Sequence, residues 1–396
     1  MTQWPVYDEE QIADVVAVLR SGKVNAWTGP HVQRFEEAYA QHLSNRFAIA
    51  LANGTVALDL ALYALNLQPG DEVIVTPRSF VASAACVPFS GGVPVFADVD
   101  PDSQAMTAQT IEAAITPRTK GVIVVHLAGW PCDMPRIMDL AARRGLWVIE
   151  DCAQAHGARI NGKPVGSFGD IAAFSFCQDK IITTGGEGGL LSMNDAALWS
   201  RAWSRKDHGK SFDAVFNRQH APGFRWLHES IGTNWRMTAI QAVLGLRQLE
   251  RLDAWHAARA RNAAALRSEI KGLDALRCPV PASDITHAFY RFYAFVRPEK
   301  LRPGYDRDRI VAEVNAAGVA CFSGSCSEIY LEKCFGYLGL GPSERLPMAR
   351  ALGETSIAML VDPTISAETA HRNGRVLREV VSAASLSAEK ALAGGF

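Results

Sequence analysis

The sequence predicts an α/β fold, a parallel sheet with helices on both faces, joined to a smaller α+β domain. Three observations predict it. Short, wholly apolar segments such as Gly121-Val122-Ile123-Val124-Val125 and Leu146-Trp147-Val148-Ile149 alternate with helical segments from residue 46 onward, the pattern of strands buried on both faces. The alternation stops near Arg251, and an aromatic, strand-like stretch with further helices follows. The chain has 396 residues, 48% apolar and 20% charged. That is a soluble globular profile, long enough to bury about three quarters of its unfolded surface in one large core and a smaller second one.

Each element follows from its local pattern. Residues 8–19 form a helix that breaks at Ser21-Gly22, Trp27-Thr28-Gly29-Pro30 is a turn, and 32–42 form a second helix. Residues 47–51 are a short apolar strand, broken by Asn53-Gly54-Thr55 before a helix over 56–65. Strands over 71–75, 93–96, 121–125 and 146–149 then alternate with helices over 80–89, 108–115 and 135–144. Another strand ends at Ser175. A helix over 238–252 opens with Thr238-Ala239-Ile240-Gln241, a capping-box spacing, and shows one apolar face. A polar, Ala-rich helix over 257–271, a strand-like segment over 287–296, a helix over 308–317 stopped by Gly318 and a closing helix over 367–383 complete the chain. The expected division is a large domain over 1–254 and a small domain over 255–396.

Charge excludes some functions. Forty basic residues against 41 acidic ones give a net charge of -1, without the basic stripe that nucleic acid or an anionic membrane surface demands. No run of 18 apolar residues suggests a spanning helix, and Met1-Thr2-Gln3-Trp4-Pro5 does not read as a signal peptide. The eight cysteines form no Cys-x-x-Cys pair and the ten histidines no His-x-x-x-His spacing, which argues against a metal site. Such scattered cysteines fit a reducing cytoplasm.

In a parallel sheet the ligand lies beyond the carboxyl ends of the strands, so the polar residues there carry the functional signal. Asn53-Gly54-Thr55 offers helix N-terminal amides and a hydroxyl, a phosphate cradle; alone it also reads as an ordinary strand–helix turn. Asp151 follows a buried strand in Glu150-Asp151-Cys152-Ala153-Gln154-Ala155-His156-Gly157; alone it also reads as a helix cap. Lys180 comes five residues after Ser175 and leads into the glycine-rich stretch 185–189. A lysine in such a pocket can lose its proton and form a Schiff base, or it can be a solvated loop lysine. Gly232-Thr233-Asn234-Trp235-Arg236-Met237 is a polar loop entering the capped helix. Together, a phosphate cradle, an acid, a lysine and a glycine loop at the strand ends of one sheet are what pyridoxal phosphate needs. An aspartate keeps the pyridine nitrogen protonated so that the ring acts as an electron sink, and a lysine holds the aldehyde carbon.

On these residues the sequence resembles the DegT/DnrJ/EryC1/StrS sugar aminotransferases, fold type I pyridoxal-phosphate enzymes. The resemblance covers about 11–251 and continues more loosely into the small domain. It is carried by Gly54-Thr55-Val56-Ala57-Leu58, Val125-His126-Leu127-Ala128-Gly129 and Glu150-Asp151 through Ala158. Further matches are Gly166-Ser167-Phe168-Gly169-Asp170, Ser175-Phe176 with Lys180, and Asn234 with Arg236-Met237-Thr238. It implies a mostly parallel seven-stranded sheet of the aspartate-aminotransferase kind. It also implies an imine between Lys180 and pyridoxal 5'-phosphate, Asp151 on the pyridine nitrogen, Gln154 near the ring oxygen and Gly54, Thr55 and Ser175 on the phosphate. Phe80 would stack on the ring, in place of a more usual Trp or Tyr. Asn234 would reach the cofactor of the second subunit in a homodimer with shared active sites. His156 is a candidate substrate contact, or else a hydrogen-bonded structural histidine. His126 reads as structural. Arg78, where the family leads one to expect a small or aromatic residue, either touches substrate or faces solvent, the latter favoured. Gly185-Gly186 adds a glycine to the usual stretch, and residues 323–328 form a polar loop that is a candidate nucleotide contact.

The reaction so implied is transamination of a nucleotide-linked keto-sugar by ping-pong kinetics, with glutamate as the implied donor and a neutral Lys180 amine, favoured by burial, moving the proton. The same resemblance leaves open a keto-cyclitol aminotransferase. A pyridoxal-phosphate-binding regulator without turnover is disfavoured by Asp151, Gln154 and Lys180 together, and a keto-sugar 3-dehydratase by Lys180 where those members carry histidine. A nicotinamide dehydrogenase is disfavoured because no Gly-x-Gly-x-x-Gly turn follows the first strand.

Overall fold

The computed structural model describes residues 4–386. Residues 1–3 of the segment read as lacking a signal peptide, and 387–396 of the expected small domain, lie outside the described residues. Seven strands form the main sheet: β1 (Phe47–Leu51), β2 (Glu72–Val75), β3 (Val93–Phe96), β4 (Thr119–Val125), β5 (Trp147–Asp151), β6 (Ile171–Ser175) and β7 (Gly189–Met193). Their spatial order is β1-β7-β6-β5-β4-β2-β3. β7 pairs antiparallel with both β1 and β6, while β6, β5, β4, β2 and β3 pair in parallel. The carboxyl ends of six strands therefore meet at one edge, where β7 begins. The apolar β7 was not read from the sequence because Gly188-Gly189 and Ser192 hide its pattern.

Helices α1 (Glu9–Ser21), α2 (His31–Leu43), α3 (Gly54–Ala64), α4 (Ala82–Phe89), α5 (Ala108–Ala113), α6 (Met134–Arg144) and α7 (Ala196–Lys206) cover the sheet. α1 starts at a capping box between Asp8 and Gln11 and ends at Gly22 in the left-handed conformation, which glycine adopts without steric cost. α2 lays Phe35 and Tyr39 against Phe174 and Phe176, forming the core on one face. α3 is buried on nearly all sides, with Leu58, Leu60, Ala61 and Leu62 in the core of the other face. This explains why its sequence shows little amphipathic contrast.

One expectation is corrected. The helices read over 238–252 and 257–271 are a single 32-residue helix, Ala239–Ile270, started by the Thr238–Gln241 capping box. Its apolar stripe lapses around Asp253, which suggested a break, but no proline and only one glycine interrupt a run of strong helix formers. Its first turns pack on α2, where Gly245 lets Phe35 approach. Its last turns place Ala263, Leu266 and Ile270 in the core of a second, antiparallel sheet. That sheet has the order Leu276–Arg277, Phe292–Val296, Ser356–Met359, Cys321–Phe322. The strand-like segment 287–296 is strand only from Phe292. Before it, the Ala288 and Tyr290 amides bond to the carbonyls of Gly129 and Ala128, tying this segment to the main sheet's functional edge. Among the described residues no helix is long and apolar enough to cross a membrane.

A very tight fit lies between β4 and β5. Gly121 is paired with Trp147, and a Cβ on Gly121 would lie 2.1 Å from the indole ring. Gly121→Ala is expected to destabilise the protein by about 1–3 kcal/mol through overpacking, read as a lower denaturant midpoint; an unchanged midpoint would show that Trp147 moves aside freely.

Candidate active site

The ends of β1, β4, β5 and β6 open into a cavity of about 860 Å³, closed from the other side by residues of the second sheet. Gly54, Thr55, Phe80, Asp151, Gln154, Ser175 and Lys180 all line it, so seven of the expected site residues are brought together. The segments that present them are separated by up to 126 positions in sequence, from 54 to 180, and only the parallel topology unites them.

Asp151 ends β5 and is 5% exposed. Its Oδ2 accepts a 2.7 Å hydrogen bond from Ser83 Oγ, and its Oδ1 one of 3.1 Å from the Ala153 amide. Burial pushes its carboxyl above the ordinary value, and the two hydrogen bonds pull it only part of the way back. The Lys180 ammonium is close enough to stabilise the ionised form as well. Behind it, Glu150 accepts from the amides of Gly166, Phe168 and Gly169 at 2.7–2.8 Å and meets His126 Nε2 at 3.0 Å. His126 Nδ1 accepts from the Cys132 amide, so its proton lies on Nε2 and points to Glu150. This buried pair ties the loop after β4 to the loop before β6 and does not face the cavity.

Lys180 lies in the loop after β6, with its side chain 16% exposed. Its Nζ is 3.5 Å from both Tyr290 Oη and Asp179 Oδ1, and the Tyr290 hydroxyl donates to Asp179. Burial draws the amine's pKa down, but Tyr290 and Asp179 outweigh it and hold the value above the ordinary one. Burial does favour the neutral amine, as expected, but Tyr290 and Asp179 more than offset it. The loop itself is fixed by a 2.9 Å hydrogen bond from Trp4 Nε1 to the Lys180 carbonyl. Gln154 Oε1 accepts from the Ala128 amide at 2.8 Å, which presents its NH2 group as the donor.

Gly54 begins α3 against Ser175, where a Cβ would stand 2.6 Å from the serine Cβ. Asn53 Oδ1 caps the Val56 amide, leaving the Gly54 and Thr55 amides beyond the reach of any helical carbonyl. The glycine loop passes directly behind this turn, where a Cβ on Gly189 would lie 2.1 Å from the Asn53 carbonyl oxygen. Phe80 stands 66% exposed in the loop before α4.

Two residues, His156 and Arg78, depart from a role the sequence offered for them, and Asn234 lies outside this chain's own cavity. His156 is fully buried among Tyr39, Phe174 and Phe176. Its Nε2 donates to the Ser175 carbonyl at 2.9 Å and its Nδ1 accepts from Tyr39 Oη at 2.6 Å. It is a structural histidine that holds the end of β6, not a substrate contact. Arg78 neither faces solvent nor lines the cavity, for it is 0% exposed between the two sheets. Asn234 is exposed outside this chain's cavity, with its Oδ1 accepting from the Arg236 amide. Of the 323–328 loop, Gly324, Ser325 and Cys326 reach the cavity wall.

Ser83, Tyr290 and Trp4 were missed in the sequence. Ser83 is the second residue of α4 and Tyr290 lies 110 positions from the lysine it meets, so no local spacing signals either.

A lysine and a buried aspartate facing one cavity at the edge of this seven-stranded sheet define an aminotransferase of fold type I. Comparison with known proteins agrees. An aminotransferase from Psychrobacter cryohalolentis superposes with a TM-score of 0.95 at 49% identity, covering 97% of this chain and 99% of that one. S. venezuelae DesV, solved in complex with a ketimine intermediate, superposes with a TM-score of 0.83 at 31% identity over 94% of each chain. The GDP-perosamine synthase of Caulobacter vibrioides is 40% identical over 294 residues, 74% of this chain and 75% of the relative. The profile of the DegT/DnrJ/EryC1/StrS aminotransferase family matches residues 5–378, and the chain belongs to that family.

The family's cofactor is pyridoxal phosphate, and the residues present fit it. The Asp151 carboxylate is buried with neutral hydrogen-bond donors only in contact, which suits a protonated ring nitrogen. The unpaired amides at the start of α3 suit a phosphate.

His156 generates a test. Burial pulls its pKa down to about 3. The unfolded chain takes up a proton as pH falls through about 6.5 while the folded one does not, so this group's contribution removes stability on acidification. His156→Gln cannot titrate and is expected to flatten the fall of the denaturation midpoint between about pH 7 and pH 5. Parallel slopes in the two proteins would show that His156 is protonated in the fold.

Proposed function

We propose that the cavity moves the amino group of glutamate to the keto group of a nucleotide-linked sugar, in a homodimer with shared sites. The enzyme is an aminotransferase of nucleotide-sugar biosynthesis, and the GDP- and dTDP-sugar names of its relatives support a nucleotide-linked acceptor. The observation that carries the reading is the opening of Lys180 Nζ and the buried Asp151 carboxylate on one cavity, beside the start of α3.

Bound pyridoxal phosphate supplies an aldehyde that captures the migrating amine and a protonated ring that withdraws electrons from the neighbouring carbon. The chain's residues do the rest. Asp151 would hold the proton on the ring nitrogen, and Ser83 and the Ala153 amide keep its carboxylate oriented. The Gly54 and Thr55 amides and the Ser175 hydroxyl would bind the phosphate, and the dipole of α3 would favour its charge. Phe80 would cover one ring face, and the Gln154 NH2 would donate to the ring oxygen. Lys180 would hold the cofactor's aldehyde carbon, and its freed amine would move the proton at the donor's α-carbon. Tyr290, fixed by Asp179, takes a hydrogen bond from the Lys180 amine and steers its lone pair. Asn234, outside its own cavity, serves the cofactor phosphate of the second copy. We also place the division into two units at 254/255, within the long helix.

Borohydride reduction of the holoenzyme followed by peptide mass analysis should find the cofactor on Lys180. Lys180→Ala should lose both that label and all amine transfer from glutamate to a panel of nucleotide keto-sugars; turnover by the alanine variant would refute the assignment. Asp151→Asn should retain cofactor but slow turnover by about 100-fold or more. Tyr290→Phe should lower kcat by roughly tenfold to a hundredfold at unchanged cofactor loading. Because Tyr290 holds the Lys180 pKa up, this variant should also shift the amine's deprotonation to lower pH, and an unmoved pH profile would remove Tyr290 from the proton path.

A further inference from the structure

We propose that Arg78 is a positioning residue that sets the second-sheet wall of the cavity, residues 323–326, and through it the fit of the acceptor sugar. The inference rests on the reading of the cavity as a site for a nucleotide-linked keto-sugar.

A fully buried guanidinium is costly unless its hydrogen bonds are met and its charge has a purpose. Arg78 leaves β2 two residues before Phe80, and its side chain turns away from the cavity toward the second sheet. Its Nε and Nη2 donate to Gln104 Oε1 at 3.0 and 2.8 Å, and Nη2 also donates to Ser356 Oγ at 3.0 Å. Gln104 is itself buried, with a positive φ of 62°, a backbone state held only where the surroundings dictate it. Among the described residues no carboxylate contacts the guanidinium, and its Nη1 has no partner there. The arrangement is therefore poor as a source of stability.

What the guanidinium does is hold the wall. Ser356 Oγ passes the chain of hydrogen bonds on to the Ser323 carbonyl at 2.6 Å. The guanidinium also lies over the Tyr293 ring, 5.8 Å from its centroid, and Tyr293 Oη accepts from the Ser325 amide at 2.9 Å. Gly324 lies so close to that ring that a Cβ would stand 2.6 Å from it. A third tie joins the Ile329 amide to the Pro77 carbonyl, next to Arg78, at 2.9 Å. Two of the three ties run through the one side chain. The wall they fix brings the polar residues Ser325, half-buried, and Cys326, exposed, to the cavity. Those groups suit the hydroxyls of a sugar. A small amino donor that reacts beside Lys180 has no need to reach them.

The test uses the holoenzyme and three variants, Arg78→Met, Arg78→Lys and Ser356→Ala. Hydrogen exchange of the peptide over 323–329 should show the Ser325 and Ile329 amides losing protection in Arg78→Met and, more weakly, in Ser356→Ala. The donor half-reaction, followed as the loss of the bound-cofactor absorbance on adding glutamate, should stay within about twofold of wild type. KM for the nucleotide keto-sugar that the wild type turns over should rise by roughly tenfold, since small displacements of positioning groups are enough for such losses, with partial rescue by Arg78→Lys. Unchanged exchange, or equal losses in both half-reactions, would overturn the proposal. If Arg78→Met does not fold, Ser356→Ala decides the outcome by the same two readouts. A wild type that turns over no nucleotide keto-sugar would sink the acceptor assignment instead, while the exchange result still judges the wall.

Discussion

Taking a carboxylate out of water at the end of a parallel strand is unfavourable unless a positive charge comes to face it. Asp151 is in that position, and the arrangement around the cavity answers to it. Ser83 and the Ala153 amide soften the cost without neutralising the charge. Lys180 approaches from the next strand end, and the start of α3 supplies a further positive field. A cationic heterocycle with a phosphate tail meets the requirement better than any side chain in the protein does.

A second layer of buried polar groups keeps these groups where they are. Glu150 gathers three backbone amides and the His126 imidazole, so that the loops flanking β5 cannot drift. His156 and Tyr39 do the same for the end of β6. These residues touch nothing that reacts. Their satisfied hydrogen bonds make the strand ends rigid, and rigid strand ends are what give a cavity assembled from distant segments a fixed shape.

The parts of this layout that were legible in the sequence are those written locally. Apolar strands, helix caps and the chain order of Gly54, Asp151 and Lys180 are short-range patterns with a direct physical meaning, and all three residues do meet. What escaped was whatever depends on a partner far along the chain. His156 and Gln154 lie two positions apart, yet one faces the interior and the other the cavity. Arg78 looked like a solvated charge because nothing nearby announces Gln104 or Ser356. The long helix looked like two because its contacts change from the main sheet to the second sheet midway. Its buried face lapses between Leu252 and Arg259 where those contacts change, and the backbone does not break.

That uninterrupted rod has a practical bearing on how the molecule can be dissected. Cutting the chain after residue 254 would strand the turns that carry Ala263, Leu266 and Ile270 without the earlier turns that seat them on α2. The fragment before the cut would lose the rest of a spine that α1 grips through Arg247 and Arg251. Neither piece would be a tidy half, because the helix runs through that point without a break.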